Sequence, residues 1–234
     1  MRAIVEQGAE LEARSDELIT SAARELRGRA RGGEPSQALL VSTYALVREA
    51  ARRELGLVAF DEQLAAAVAL HGPRVAEMQN GEGKTLAAGF PAALRALSGL
   101  GVHVLTANDY LARRDARWMG PIYRLLGLRV SALQPEMEPE ERREAYGADV
   151  LYATASEVGF DFLRDRLAPR AADLLQRPLH ATIVDELDSI LIDEARSSLV
   201  IAGPGGAGEE AVTAAAELVA RLTPDDDYEV ARAK

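Results

Sequence analysis

Along the first third of the chain the apolar positions recur at helical intervals. Leu11, Leu18, Ile19, Ala22 and Leu26 fall on one helical stripe and predict a helix over 9–30. A second helix is predicted over 36–55, separated from the first by Gly32-Gly33-Glu34-Pro35, a sequence that no helix crosses. From Val75 onward the rhythm changes to short apolar runs, at 75–78, 102–106, 130–133, 150–153 and 181–184, which read as buried strands. Helical stretches near 84–98, 109–126, 138–146 and 156–167 lie between them. Strands alternating with helices predict right-handed crossovers and a parallel sheet, so the expected fold is α/β, a doubly wound parallel sheet behind an N-terminal helical lead-in. After Gly203-Pro204-Gly205-Gly206 the residues become small and acidic, with Asp225-Asp226-Asp227 near the end, which reads as a linker followed by the first helix of another unit. Three segments result: 1–58, 59–203 and 204–234.

Composition narrows the possibilities. A chain of 234 residues, 48% of them hydrophobic, can bury one main core. No apolar run approaches the roughly eighteen residues of a membrane-spanning helix, and Glu6 precedes any stretch that could serve as a secretory signal, so a cytoplasmic protein is expected. With no cysteine, thiolate metal sites and disulfides are excluded, and any metal must be held by oxygen or imidazole. The formal charge of −10 argues against a broad nucleic-acid surface. Among 27 basic residues only Lys84 and Lys234 are lysine. A compact ammonium at position 84 suits a place between phosphate oxygens better than a planar guanidinium would.

The residues around Lys84 give that choice a setting. Met78-Gln79-Asn80-Gly81-Glu82-Gly83-Lys84-Thr85 follows a predicted strand and opens a predicted helix, the context a phosphate-binding loop requires. Gly81 and Gly83 let the backbone turn its N–H groups, Glu82's included, inward. Those amides and the positive end of the helix would hold phosphates, Lys84 would neutralise them, and the Thr85 hydroxyl would ligate Mg2+. Met78 stands where the general pattern has glycine. The apolar run 182–184 ends in Asp185 and Glu186. Asp185 would hold Mg2+ through water, and Glu186 would orient and deprotonate an attacking water. Upstream, Phe60-Asp61-Glu62-Gln63 starts a helix with Asp61 as its expected N-cap, and Gln63, an amide able to donate and accept at once, suits the edge of adenine. His71, His103 and His180 share no metal-like spacing and are expected in core or solvated roles. The cofactors predicted are ATP and Mg2+.

These strings resemble one family, the SecA protein-translocating ATPases. Beyond the loop, the likeness rests on Gly101-Val102-His103-Val104, Asn108-Asp109-Tyr110-Leu111-Ala112 with Arg114-Asp115, Gly159-Phe160-Asp161 with Leu163-Arg164-Asp165, and above all Val184-Asp185-Glu186-Leu187-Asp188-Ser189-Ile190-Leu191-Ile192-Asp193-Glu194-Ala195-Arg196. Ser15-Asp16-Glu17-Leu18 and Val47-Arg48-Glu49-Ala50 extend it into the lead-in, so it covers nearly all of the chain up to Pro204. Asn80 where the family usually has threonine, Ala155-Ser156 for two asparagines, and Ser198 for proline are departures, none at a group that must bond phosphate or magnesium.

The resemblance implies a RecA-like P-loop motor lobe over 59–203 and the start of a preprotein-binding insertion over 204–234, in the front part of a longer two-lobed motor. It also implies a preprotein substrate, the SecYEG channel and acidic lipid as partners, and peripheral association with the inner face of the cell membrane. Residues 187–196 are expected to carry motion from the site to the insertion. Because an arginine of the second lobe would complete catalysis, the stretch by itself is expected to hydrolyse ATP poorly. Two other readings share the same motifs: a superfamily-2 helicase lobe, and a truncated, non-catalytic nucleotide- or partner-binding paralogue. Oligomeric state is left open, a homodimer included.

Overall fold

The computed structural model describes residues 1–201 and 209–223. Its first compact unit is Met1–Leu199; the described residues beyond it hold one helix, Glu209–Val219, in a second unit. The predicted linker at 203–206 and the acidic triplet at 225–227 lie outside the described residues.

The lead-in is three helices rather than two: α1 (Arg2–Leu11), α2 (Asp16–Arg31) and α3 (Ser36–Leu55). The expected single helix over 9–30 breaks at 12–15, because Ser15 takes an extended conformation (φ −73°, ψ 164°) and starts α2 with two acids, Asp16 and Glu17, in its first turn. Leu11 and Ile19 still reach the core, from two different helices, while Leu18 is turned to solvent. The 36–55 helix has the predicted bounds and ends where Gly56 adopts φ +67°. Arg27 on α2 ties the lead-in to the next layer, donating to the Gly127 carbonyl at 2.8 Å and to buried Asp149 at 2.7 Å.

A parallel sheet follows, with α4 (Asp61–Ala69) and α5 (Lys84–Ala96) preceding its first strand. The later elements are β1 (Val102–Thr106), α6 (Asp109–Leu125), β2 (Val130–Ala132), α7 (Pro139–Tyr146), β3 (Val150–Thr154), α8 (Ala155–Leu167) and β4 (Ala181–Val184), in the spatial order β2-β3-β1-β4. Every pairing is parallel, with Val102 opposite both Val150 and Ala181. Period-two alternation divides the strands between two cores. Val102, Val104, Val150 and Tyr152 join the helices of the larger core, whereas Leu151 and Ala153 pack with Leu133, Tyr146 and Leu175 on the other face. Both faces are covered, as in a doubly wound α/β fold.

The run at 75–78 is not a strand. A strand needs a ladder partner, and the run pairs with none of the four strands, whose order is β2-β3-β1-β4. A cavity of about 660 Å3 is lined both by Val75, Ala76, Glu77 and Met78 and by Thr182, Ile183 and Val184 of β4. Unladdered, Val75 is 72% exposed.

His103 sits on β1 facing the smaller core, its ring centroid 5.7 Å from that of Tyr146. Burial, and secondarily the Arg177 guanidinium, lower its pKa from 6.5 to about 4. Below pH 6.5 the unfolded chain therefore binds a proton that the folded chain refuses. Stability should fall as pH drops from 6.5 towards 4, by up to about 3 kcal/mol from this group. Denaturant titrations at pH 7 and 4.5 should show His103→Gln losing measurably less stability than the parent over that interval; equal losses would contradict the assignment.

Candidate functional site

The loop between Met78 and α5 owes its shape to two glycines. Gly81 has φ +87° and Gly83 φ +81°, a region where a side chain is strained. Gln79 to Glu82 forms a turn closed by the Glu82 N–H to the Gln79 carbonyl at 3.3 Å. Helical bonding in α5 begins with Ala87 N–H to the Gly83 carbonyl at 3.1 Å, so the amides of the first turn, from Lys84 on, point out of the helix end. That end carries the positive pole of the helix and is suited to an anion.

Lys84 extends from this end across to another element. Its Nζ lies 3.5 Å from Glu186 Oε1 and donates to Asn80 Oδ1 at 3.3 Å. Asp185 and Glu186 follow β4 directly, and Asp185 N–H donates to the Leu105 carbonyl at 2.8 Å, which extends the β1–β4 ladder by one step. Asp185 Oδ1 accepts the Glu186 N–H at 3.0 Å. Burial, and then the neighbouring Glu186, push the Asp185 carboxyl above the ordinary carboxylate range. Glu186 has φ +53° and is the one non-glycine residue with positive φ among those described. Such strain clusters at working sites. A single π turn over Ser189–Asp193, closed by Glu194 N–H to the Ser189 carbonyl at 3.0 Å, follows at once; π turns too are frequent at functional sites.

Gln63 braces the loop from α4. Its Oε1 accepts the Phe60 N–H at 3.1 Å and its Nε2 donates to the Glu82 carbonyl at 2.8 Å. The N-cap of α4 is therefore Phe60, and Asp61, expected in that role, is the first helical residue; the Gln63 side chain, three residues on, takes the N-cap residue's own N–H. Gln63 is 7% exposed and keeps one N–H and one lone pair uncommitted by these bonds.

The fold thus brings Gln63, Gly81, Glu82, Gly83, Lys84, Thr85, Asp185 and Glu186 to one end of the sheet. The loop opens α5 there, and the carboxylates sit on the carboxyl side of β4. Met78, Lys84, Ala87, Val184, Asp185 and Glu186 all border the cavity of about 660 Å3, a volume within the range of small-molecule sites. A smaller cavity of about 150 Å3, walled by lead-in residues such as Leu11, Leu26 and Leu46, touches none of these groups. Thr85 and Asp185 offer hard oxygen donors of the kind Mg2+ prefers, and the excess of carboxylate over the single ammonium leaves negative charge for a cation to offset. Among the described residues no three acidic or imidazole side chains cluster as a dedicated cage. A magnesium ion held chiefly by phosphate oxygens needs no such cage. Of the histidines, His103 is in the core and His180 Nε2 lies 3.4 Å from Ser98 Oγ. Sequence reasoning missed the grip of Gln63 on the loop, the left-handed Glu186, and the bond from the Gln79 N–H to Glu82 Oε2 at 2.7 Å. The spacing of Glu82 three residues after Gln79 was the available signal for the last.

A family model describing the SecA DEAD-like domain matches residues 1–233. Among similar proteins, a protein translocase subunit SecA of Rubrobacter xylanophilus is 51% identical over 216 residues, covering 92% of this chain and 24% of that protein. A chloroplastic protein translocase subunit SecA of Ostreococcus lucimarinus is 50% identical, covering 95% and 24% respectively. That of Heliobacterium modesticaldum is 52% identical, covering 88% and 24%. The chain spans about a quarter of the length of these relatives.

A Cβ at Gly83 would run into Gln63 Nε2 as well as strain the backbone. Gly83→Ala should therefore destabilise the chain by about 1–3 kcal/mol. In a double-mutant cycle Gln63→Ala should recover part of that loss. Strictly additive losses would show that the two do not meet.

Proposed function

The chain belongs to the SecA DEAD-like domain family, and from that premise we propose that residues 59–203 are the ATP-binding motor lobe of a protein translocase. The observation that supports this most is the approach of Lys84 Nζ to Glu186 Oε1, 3.5 Å apart, where the loop and the end of β4 converge. When bound, Mg-ATP supplies the phosphoryl group and the ion that neutralises its developing charge. The amides of Gly81, Gly83 and Lys84 and the first turn of α5 would hold the phosphate oxygens, the Glu82 amide, expected among them, being turned back to the Gln79 carbonyl. Lys84 would turn from Asn80 and Glu186 to those oxygens. The Thr85 hydroxyl and the Asp185 carboxylate would hold Mg2+, and a bound cation would draw the raised pKa of Asp185 back down. Glu186, free of Lys84, would orient a water and take its proton. The two groups left open on Gln63 would meet the adenine edge.

In the complete protein, closure of a second lobe would bring an arginine to the transferred phosphoryl. Motion would pass along 187–196, which includes the π turn, towards a preprotein-binding insertion beginning near 204. The substrate would be a preprotein, moved through the SecYEG channel at the inner face of the membrane beside acidic lipid. Nothing in this requires the chain to enter the bilayer: no helix of the described residues is long and apolar enough to cross it.

Glu186→Gln preserves shape but cannot accept a proton. It should retain ATP affinity within about threefold while turnover falls by about a hundredfold or more; unaltered turnover would remove Glu186 from the chemistry. In the complete protein, preprotein with channel and acidic lipid should accelerate hydrolysis. Acceleration by RNA or DNA instead would identify a helicase.

A further inference from the structure

A carboxylate in a loop proposed to bind a polyanion needs a reason to be there. Glu82 lies between the two glycines, and its repulsion from a triphosphate weakens binding unless the side chain does something else. The structure shows what it touches. Glu82 Oε2 accepts the Gln79 N–H at 2.7 Å, while the Glu82 N–H donates to the Gln79 carbonyl at 3.3 Å. The turn is therefore closed in both directions by one residue. The Glu82 carbonyl is held in addition by Gln63 Nε2 at 2.8 Å. Side chain, amide and carbonyl of Glu82 are all engaged, the first two by Gln79 and the third by Gln63, immediately before the left-handed Gly83 that aims the helix end.

We infer that Glu82 is a positioning residue whose carboxylate fixes the turn Gln79–Glu82 and so pre-aims the amides of Gly81, Gly83 and Lys84 before nucleotide arrives. The carboxylate faces the start of the turn, so its charge is spent on the Gln79 N–H in a short, charge-assisted bond. An isolated loop with two glycines has many backbone states, and ordering it on binding would cost affinity. Closing the turn in advance removes part of that cost. What matters is the acceptor and its reach rather than the charge. A glutamine at 82 can make the same bond without the repulsion, and an alanine cannot make it at all.

The affinity arm of the test rests on the phosphate-loop reading above; the exchange arm does not. For the nucleotide-free chain, hydrogen exchange at the Gln79 amide, followed by NMR, should speed up about tenfold in Glu82→Ala and stay within about threefold of the parent in Glu82→Gln. Mg-ATP affinity by calorimetry should weaken about five- to thirtyfold in Glu82→Ala and be kept or improved in Glu82→Gln. Equal exchange at Gln79 in all three proteins, or a Glu82→Ala that binds as tightly as the parent, overturns the proposal. So does a Glu82→Gln as weak as Glu82→Ala, since charge would then be what counts. If the exchange arm behaves as stated while the parent takes up no nucleotide, the phosphate-loop reading falls and the bracing of the turn stands.

Discussion

An ammonium held 3.5 Å from a carboxylate, across two elements that share no local sequence, is the contact from which the rest of this structure can be understood. Lys84 must leave the start of α5 and Glu186 must leave the end of β4 at the same corner of the sheet. Three parts of the fold secure this. The glycine turn sets where α5 begins, the parallel β1–β4 register sets where β4 ends, and the Asp185 N–H bond to Leu105 carries that register one residue further. A one-residue slip in the pairing would carry Asp185 to the opposite face of the sheet.

The charge balance at that corner is incomplete, and this is the physical basis for expecting a ligand. Two adjacent carboxylates share one nearby ammonium. One of them, Asp185, is raised by burial and by the other, while Glu186 is held in a left-handed conformation. Burying an under-compensated carboxylate and straining a backbone both oppose stability. A magnesium ion would relieve the first. The second lies just ahead of the π turn over Ser189–Asp193, a feature that is likewise frequent at functional sites.

Much of this was legible in the sequence, for reasons that can be named. Cover on both faces of the sheet wrote β1, β3 and β4 as short apolar runs, and helix α3 ended at a glycine where the pattern stopped. The convergence of loop and acids was foreshadowed because lysine is rare in this chain and Gly81-x-Gly83-Lys84-Thr85 opens a helix while Asp185-Glu186 ends an apolar run. The failures came where periodicity is indifferent to the break. Leu11 and Ile19 keep helical spacing across the turn at 12–15 because both still face the core. The run at 75–78, Val75-Ala76-Glu77-Met78, has only Val75 as a strand former and no laddered neighbour, and no local pattern reports a missing neighbour. Likewise, the sequence marks Gln63 for a base edge but not for its bond to the Glu82 carbonyl, nineteen residues on, which only the folded loop brings to it.

The account depends on a triphosphate binding at the corner where Lys84 meets the two acids. Calorimetric titration of the chain with ATP in the presence of Mg2+ tests this most directly, with Lys84→Ala measured beside it. One bound nucleotide per chain, lost or weakened by about a hundredfold or more when the ammonium is removed, is the predicted result. A folded chain that takes up no ATP, or one that binds it equally well without Lys84, would contradict it.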